Sequence, residues 1–150
     1  MLGVSYDLYA EVTEALCYVA ELSSISCEAG WTVNPVKETC IKLWPSSGNR
    51  DAAVFNCQSV EASLLMLNTE EVYEWYQTLV ASDPSWSHEL WLGATKVGSE
   101  WKWDNGDSLD MSRFESGRPN NSGTCLIMRT TFVWYDNTCS PGFRRHVCEK

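Results

Sequence analysis

Five side chains in the second half of the chain, Trp101, Trp103, Phe114, Arg118 and Tyr135, are of the types that dominate binding hot spots. Close to them in sequence stand Asn120 and Asp136, and the triplet Asn120-Asn121-Ser122 is an acceptor for an N-linked glycan that would cover its own loop. Catalytic groupings are not evident. His88 lies in a polar linker and His146 beside Cys148, with no Ser or Asp at a spacing that fixes a triad. The chain has no Gly-rich phosphate loop and no His-x-x-x-His pair. These residue types favour recognition over catalysis, so no catalytic residue is assigned, and both histidines read as surface or edge-strand packing.

The stretch that carries the candidates, Trp91 to Cys148, alternates short apolar or aromatic runs with Asn105-Gly106, Gly106-Asp107 and Pro119-Asn120. That punctuation predicts strands and structured loops and leaves no room for a long helix. Upstream, Cys27 and Cys40 flank the turn residues Asn34-Pro35, the arrangement of a small hairpin closed by its own disulfide. Ile41 to Trp44 alternates like a strand before Pro45-Ser46-Ser47-Gly48 breaks it. Asn49 or Asp51 caps an expected helix running to about Val60, with Ala53 one turn before Cys57 so that the cysteine aims inward. Residues 62–67 read as a short buried strand. Asn68, three residues before Glu71, is the expected reciprocal cap of a second helix with Val72, Trp75, Tyr76 and Leu79 on its inner stripe.

At 150 residues with 44% apolar content, the chain is one domain with at most a short extension. Its eight Trp read mostly as core packing. A net charge of −9 argues against nucleic acid and against anionic membrane surfaces, and it suits a soluble protein or one that holds a cation. Residues 27–150 hold sixteen acids and all eleven Lys and Arg, net −5, whereas Asp7, Glu11, Glu14 and Glu21 stand without basic partners in residues 1–26. This shift marks a boundary near Ser26. In residues 1–26, Leu8, Val12, Ala15, Val19 and Leu22 form a heptad-like stripe, so this acidic amphipathic extension or neck needs a partner to be a stable helix. Cys17 lies off the stripe and reads as an interchain bridge or a free thiol, which makes a homodimer or oligomer through residues 1–26 an expectation. Seven cysteines without a Cys-x-x-Cys pair indicate an oxidising, secreted or extracellular setting. Asp7 and Glu11 interrupt the N-terminal apolar stretch, which has no basic flank and reads as neither a signal peptide nor a membrane-inserting helix. Either a signal has been removed or the start is incomplete.

Five motifs in order resemble a C-type lectin-like domain over residues 27–150. Trp91-Leu92-Gly93-Ala94 resembles the family's Trp-Ile-Gly-Leu core strand, and Trp101-Lys102-Trp103-Asp104-Asn105-Gly106 its Trp-x-Trp-x-Asp-Gly hairpin with one residue order changed. Gly117-Arg118-Pro119-Asn120 resembles its Gly-Glu-Pro-Asn loop, Trp134-Tyr135-Asp136 its Trp-Asn-Asp strand, and Val147-Cys148-Glu149-Lys150 its closing strand. The resemblance implies an α+β fold, two helices flanking small antiparallel sheets with a long structured loop region. Six cysteines alone permit fifteen pairings. The resemblance selects the long form: Cys27–Cys40, Cys57–Cys148 and Cys125–Cys139.

The resemblance also implies where calcium and sugar would bind: the Glu and Asn of Glu-Pro-Asn, an acid just before the third core cysteine, and the Asn and Asp of Trp-Asn-Asp. Calcium takes six to eight oxygen ligands. Here Arg118 replaces the Glu, Gly123 and Thr124 precede Cys125 where the acid is expected, and Tyr135 replaces the Asn, so only Asn120 and Asp136 match. Unit charges about 4 Å apart repel by about 4 kcal/mol at an effective dielectric near 20, and a divalent ion by roughly twice that. Arg118 is either an ordinary loop arginine on a scaffold that never bound calcium, or it fills the ion's place and pairs with Asp136. No cofactor is therefore expected, although calcium could still be held by Asn120 and Asp136 or by an auxiliary set among Glu89, Asp104, Asp107, Asp110 and Glu115, acids whose ordinary role is turn chemistry. Pro119 is commonly cis in the family. The function expected from the resemblance is a non-enzymatic extracellular module binding a glycan or protein ligand through its long-loop face without the usual calcium bridge, with Trp103, Phe114, Arg118, Asn120, Tyr135 and Asp136 as its ligand-binding residues. Two alternatives are a calcium-dependent lectin with a degenerate site and a disulfide-linked structural oligomer.

Overall fold

The computed structural model of the chain describes residues 25–150. The stripe of residues 1–26, Cys17 and the oligomer built on them lie outside the described residues, apart from Ile25 and Ser26.

The N-terminal hairpin forms as expected: β1 (Thr32–Asn34) pairs antiparallel with β2 (Thr39–Leu43) and the Cys27–Cys40 disulfide closes it. Asn34 starts the turn, its Oδ1 accepting from the backbone N–H of Val36 at 3.1 Å. Helix α1 (Arg50–Gln58) is capped by Asn49, whose side chain accepts from the N–H of Ala52. Ala53 and Cys57 are buried on one face, which aims the cysteine at β8 (Arg145–Glu149) and the Cys57–Cys148 bridge. The third disulfide joins Cys125 to Cys139, so all three pairs implied by the resemblance are present.

Two local expectations are corrected. The strand expected over residues 62–67 is limited to β3 (Ser63–Leu64). Leu65 donates to the carbonyl of Val147 and accepts from the N–H of Gly93, so the chain bridges two strands here and does not run along one. Helix α2 (Glu70–Ser82) is capped by Thr69, not Asn68: Thr69 Oγ1 accepts from Val72 N–H at 3.2 Å, while the Asn68 amide donates to Asp107 at 3.0 Å. The carboxylate across the gap offers Asn68 a charged acceptor, and the helix start passes to its neighbour.

Strands β4 (Leu90–Val97), β5 (Glu100–Trp103), β6 (Cys125–Met128), β7 (Trp134–Asn137) and β8 complete the sheet, in the order β1-β2-β8-β4-β6-β7. β3 pairs with β8 and β5 with β4, and β4 runs parallel to β8. The sheet is therefore mixed where sequence suggested small antiparallel ones.

Successive strand side chains face opposite ways, and each face has its own core. Leu90, Leu92, Trp103 and Trp134 pack with Val72 and Tyr76 of α2, while Trp91, Ile127 and Tyr135 pack with Ala53 and Cys57 of α1. Trp103 meets Trp134 edge to face at 5.4 Å, and Trp101 meets Phe114 at 5.6 Å. His146 is buried, stacked on Trp44, and neither of its ring nitrogens has a hydrogen-bond partner among the described residues. It lies beside the Cys57–Cys148 sulfurs, which their bond withholds from metal. No described helix is long and apolar enough to cross a membrane.

Candidate ligand-binding site

Backbone geometry first sets the Gly117–Ser122 loop. Gly117 has φ of +82° and Asn121 of +62°, conformations that Gly and Asn tolerate best, and the Arg118–Pro119 bond is cis. Gly123 lies so close to β7 that a Cβ there would stand 2.0 Å from the carbonyl oxygen of Asn137. This contact presses the loop against the end of β7. It also means that position 123, next but one before Cys125, has no room for a carboxylate.

The loop closes around Asp136, which is fully buried. Its carboxylate accepts the N–H groups of Asn120, at 3.1 Å to each oxygen, and of Ser122 at 2.9 Å. Arg118 supplies the positive charge: its Nη1 lies 3.3 Å from Asp136 Oδ1, 3.1 Å from the Asp136 carbonyl oxygen, and 3.0 Å from both Asn120 Oδ1 and Ser122 Oγ. One nitrogen with two hydrogens thus sits among four oxygens. Ser122 also donates to Asn120 Oδ1 from its N–H and its hydroxyl. Burial acts to raise the Asp136 pKa, but the N–H groups of Asn120 and Ser122, its own backbone and Arg118 outweigh it and hold the carboxyl below its ordinary value.

This donor set does not fit calcium. The oxygens of Asn120 and Asp136 that matched the family pattern already surround a guanidinium nitrogen, and the nearby positions 118, 123 and 124 contribute no acid. The five other acids are spread out. Glu89 pairs with Arg144, Asp104 with Arg50 and Glu115 with Arg129. Asp107 accepts from Asn68 and Asn105, and Asp110 accepts from Ser112. Among the described residues these five form no three-carboxylate cluster.

Three of the aromatic candidates are not on this face. Trp103 is 2% exposed, and Trp101 and Phe114 are buried beside it, so their area holds α2, β5 and β7 together and offers little to a ligand. Tyr135 is buried too. Alternation along β7 sends it to the sheet face opposite Trp134. There its hydroxyl donates to Glu89 and accepts from Arg144 Nη2 at 2.9 Å, while the guanidinium of Arg129 lies over its ring at 4.0 Å and that of Arg118 at 5.5 Å. Burial, and next the Glu89 bond, push the Tyr135 pKa up against the opposing pull of Arg144. Arg118 and Asn120 are therefore the surface-reaching members, with Asp136 beneath them.

Sequence reasoning missed Ser122, Gly123 and Arg129. Ser122 carried a signal, as the third residue of the glycan acceptor with an oxygen two positions from Asn120. Arg129 carried none, since only the β6–β7 pairing brings it to Tyr135.

The C-type lectin domain family model matches residues 46–150. This chain belongs to the C-type lectin domain family. Its members are non-enzymatic binding modules, and the chain has their α+β fold with two helices, a mixed sheet and three disulfides. It is similar to a perlucin-like protein of Mytilus galloprovincialis, 24% identical over 131 residues covering 83% of each chain. Other curated relatives are longer: the chain spans 46% of oxidized low-density lipoprotein receptor 1 of Bos taurus, at 27% identity over 130 residues and 83% of this chain. Among solved structures, the fold matches a human scavenger receptor C-type lectin carbohydrate-recognition domain with a TM-score of 0.70 at 24% identity, covering 83% of this chain and 98% of that one. It also matches a calcium-independent type II antifreeze protein, TM-score 0.68 at 24% identity, covering 83% and 94%.

Proposed function

We propose that this lectin domain is a secreted or extracellular recognition module that binds a glycan or protein ligand through the Gly117–Ser122 face without a calcium bridge. The observation that carries the reading is Arg118 Nη1 held among four oxygens of Asn120, Ser122 and Asp136. A divalent ion at that point would meet a fixed positive charge and only one carboxylate. The guanidinium instead gives the loop a rigid, cation-centred surface on which Asn120 and Asn121 are exposed to a ligand. The fold is similar to that of a calcium-independent type II antifreeze protein and equally to that of a Ca2+-dependent one, so the fold itself does not require the ion, and the likeness to a carbohydrate-recognition domain supports a glycan as ligand. A glycan on exposed Asn120 would cover this face, so the unmodified form is the binding-competent one. The unit that binds is residues 27–150, because the Cys27–Cys40 hairpin is built into the sheet through β2 and β8.

Glycan-array binding in calcium and in chelator tests the reading. Equal signals are expected, with loss on Arg118→Ala; signals that vanish in chelator would overturn it.

A further inference from the structure

A second site lies on the other side of Tyr135. Ser47, His88, Glu89, Phe143, Arg144 and Arg145 line a surface cleft of about 400 Å³. Its walls are fixed by backbone contacts. Gly48 and Arg144 exchange two N–H to carbonyl bonds at 3.1 Å, and Arg145 pairs with Leu90 across β8 and β4. Gly142 packs against the ring of Trp91 so closely that a Cβ would reach 3.0 Å from Cζ2. That contact takes the loop inward at residue 142 and leaves the next side chain, Phe143, 81% exposed.

The charges in this cleft are unevenly matched. Glu89 is engaged by Arg144 Nε at 3.1 Å and by the Tyr135 hydroxyl. Arg145 donates from Nε to the carbonyl of Trp44 at 2.8 Å, which aims the side chain and leaves the Nη edge of its guanidinium without a bonded partner among the described residues. Among the described residues it is the only arginine without a carboxylate within ion-pair distance. A held, unneutralised guanidinium beside an outward-facing aromatic ring suits an anion carried on a ring.

We propose that this cleft binds an acidic saccharide, its carboxylate or sulfate on the free edge of Arg145 and a sugar ring against Phe143. Ser47 and His88 offer polar groups to the ring hydroxyls. This site stands apart from the Arg118 loop and does not depend on how that loop binds.

Calorimetric titration of the full chain with three tetrasaccharides tests it: chondroitin sulfate, desulfated chondroitin and neutral chitotetraose. The sulfated probe is expected to bind in a salt-dependent way, and the desulfated one to follow if the carboxylate is the anchor. Arg145→Gln should weaken binding about tenfold or more, the usual effect of losing a charged hydrogen bond. Phe143→Ala should weaken it several-fold with an unchanged Tm, because Phe143 is exposed and a folding defect cannot account for its effect. Binding as tight for chitotetraose, no binding of either acidic probe, or insensitivity to both Arg145→Gln and Phe143→Ala would overturn the proposal.

Discussion

Arg118 and Asp136 meet at 3.3 Å with the carboxylate fully buried, and the guanidinium stands where the family pattern has a metal-neutralising acid. The pair is the hub of the loop, since Asn120 and Ser122 both bond to each partner.

Removing Asp136 should therefore cost more than removing Arg118. Asp136→Ala takes the acceptor from the Asn120 N–H and the counter-charge from Arg118, which keeps only neutral oxygens, and a loss of about 2–4 kcal/mol is expected, below the full buried-pair range because Arg118 keeps some water. Chemical denaturation of the two single variants gives the comparison.

Calcium should not change the unfolding midpoint of the wild type. A site filled at about one hundred times its Kd would add about 2.7 kcal/mol and several degrees. Arg118→Glu should be less stable than wild type in chelator, through repulsion of Asp136, and should recover part of that loss in millimolar calcium. A midpoint that rises with calcium in the wild type would count against the loop geometry described above.

Acid should weaken the fold in two separate windows. Burial, helped by the Arg145 charge, lowers His146 from 6.5 to about 4. A base with a depressed folded pKa favours the folded state fully above its unfolded pKa, so stability falls from about pH 6.5 to about pH 4, by on the order of 3 kcal/mol. Asp136, also depressed, contributes stability above its unfolded value of 3.8, and this is lost as pH falls through its lower folded pKa. His146→Phe should flatten the first window and leave the second, as urea midpoints across pH would record.

Trp103→Ala should destabilise by about 3–5 kcal/mol, the range for a large buried aromatic, without a specific effect on ligand. Comparing its Tm with ligand affinity below the transition separates the two, and a specific affinity loss at wild-type Tm would return Trp103 to the binding face.

The disulfides should differ in weight. Cys57 and Cys148 close a separation of 91 residues and Cys27 and Cys40 one of 13, which in the chain-entropy model corresponds to about 4–5 and about 3 kcal/mol. Paired Cys-to-Ala variants in urea should rank in that order, the more so because Cys57 and Cys148 are buried in the core.

Local chemistry made much of this protein legible in advance. Asn49 as a cap, the Asn34 turn, the inward face of α1 and most of the inner stripe of α2 follow from hydrogen-bond valence and helical period, which act over a few residues. Motif resemblance supplied the three disulfides and the replacement of an acid by Arg118. What it could not supply was direction in space. Aromatic residues suit binding faces and cores equally, and only the packing of α2 against β5 and β7 assigned Trp103 and Phe114 to the interior. Tyr135 next to Asp136 looked like one site, yet the two-residue period of β7 turned them to opposite faces. The gathering of Arg118, Arg129 and Arg144 around one tyrosine ring joins residues up to 26 positions apart. Strand pairing decides such neighbours, because long-range contacts depend on how the whole sheet closes.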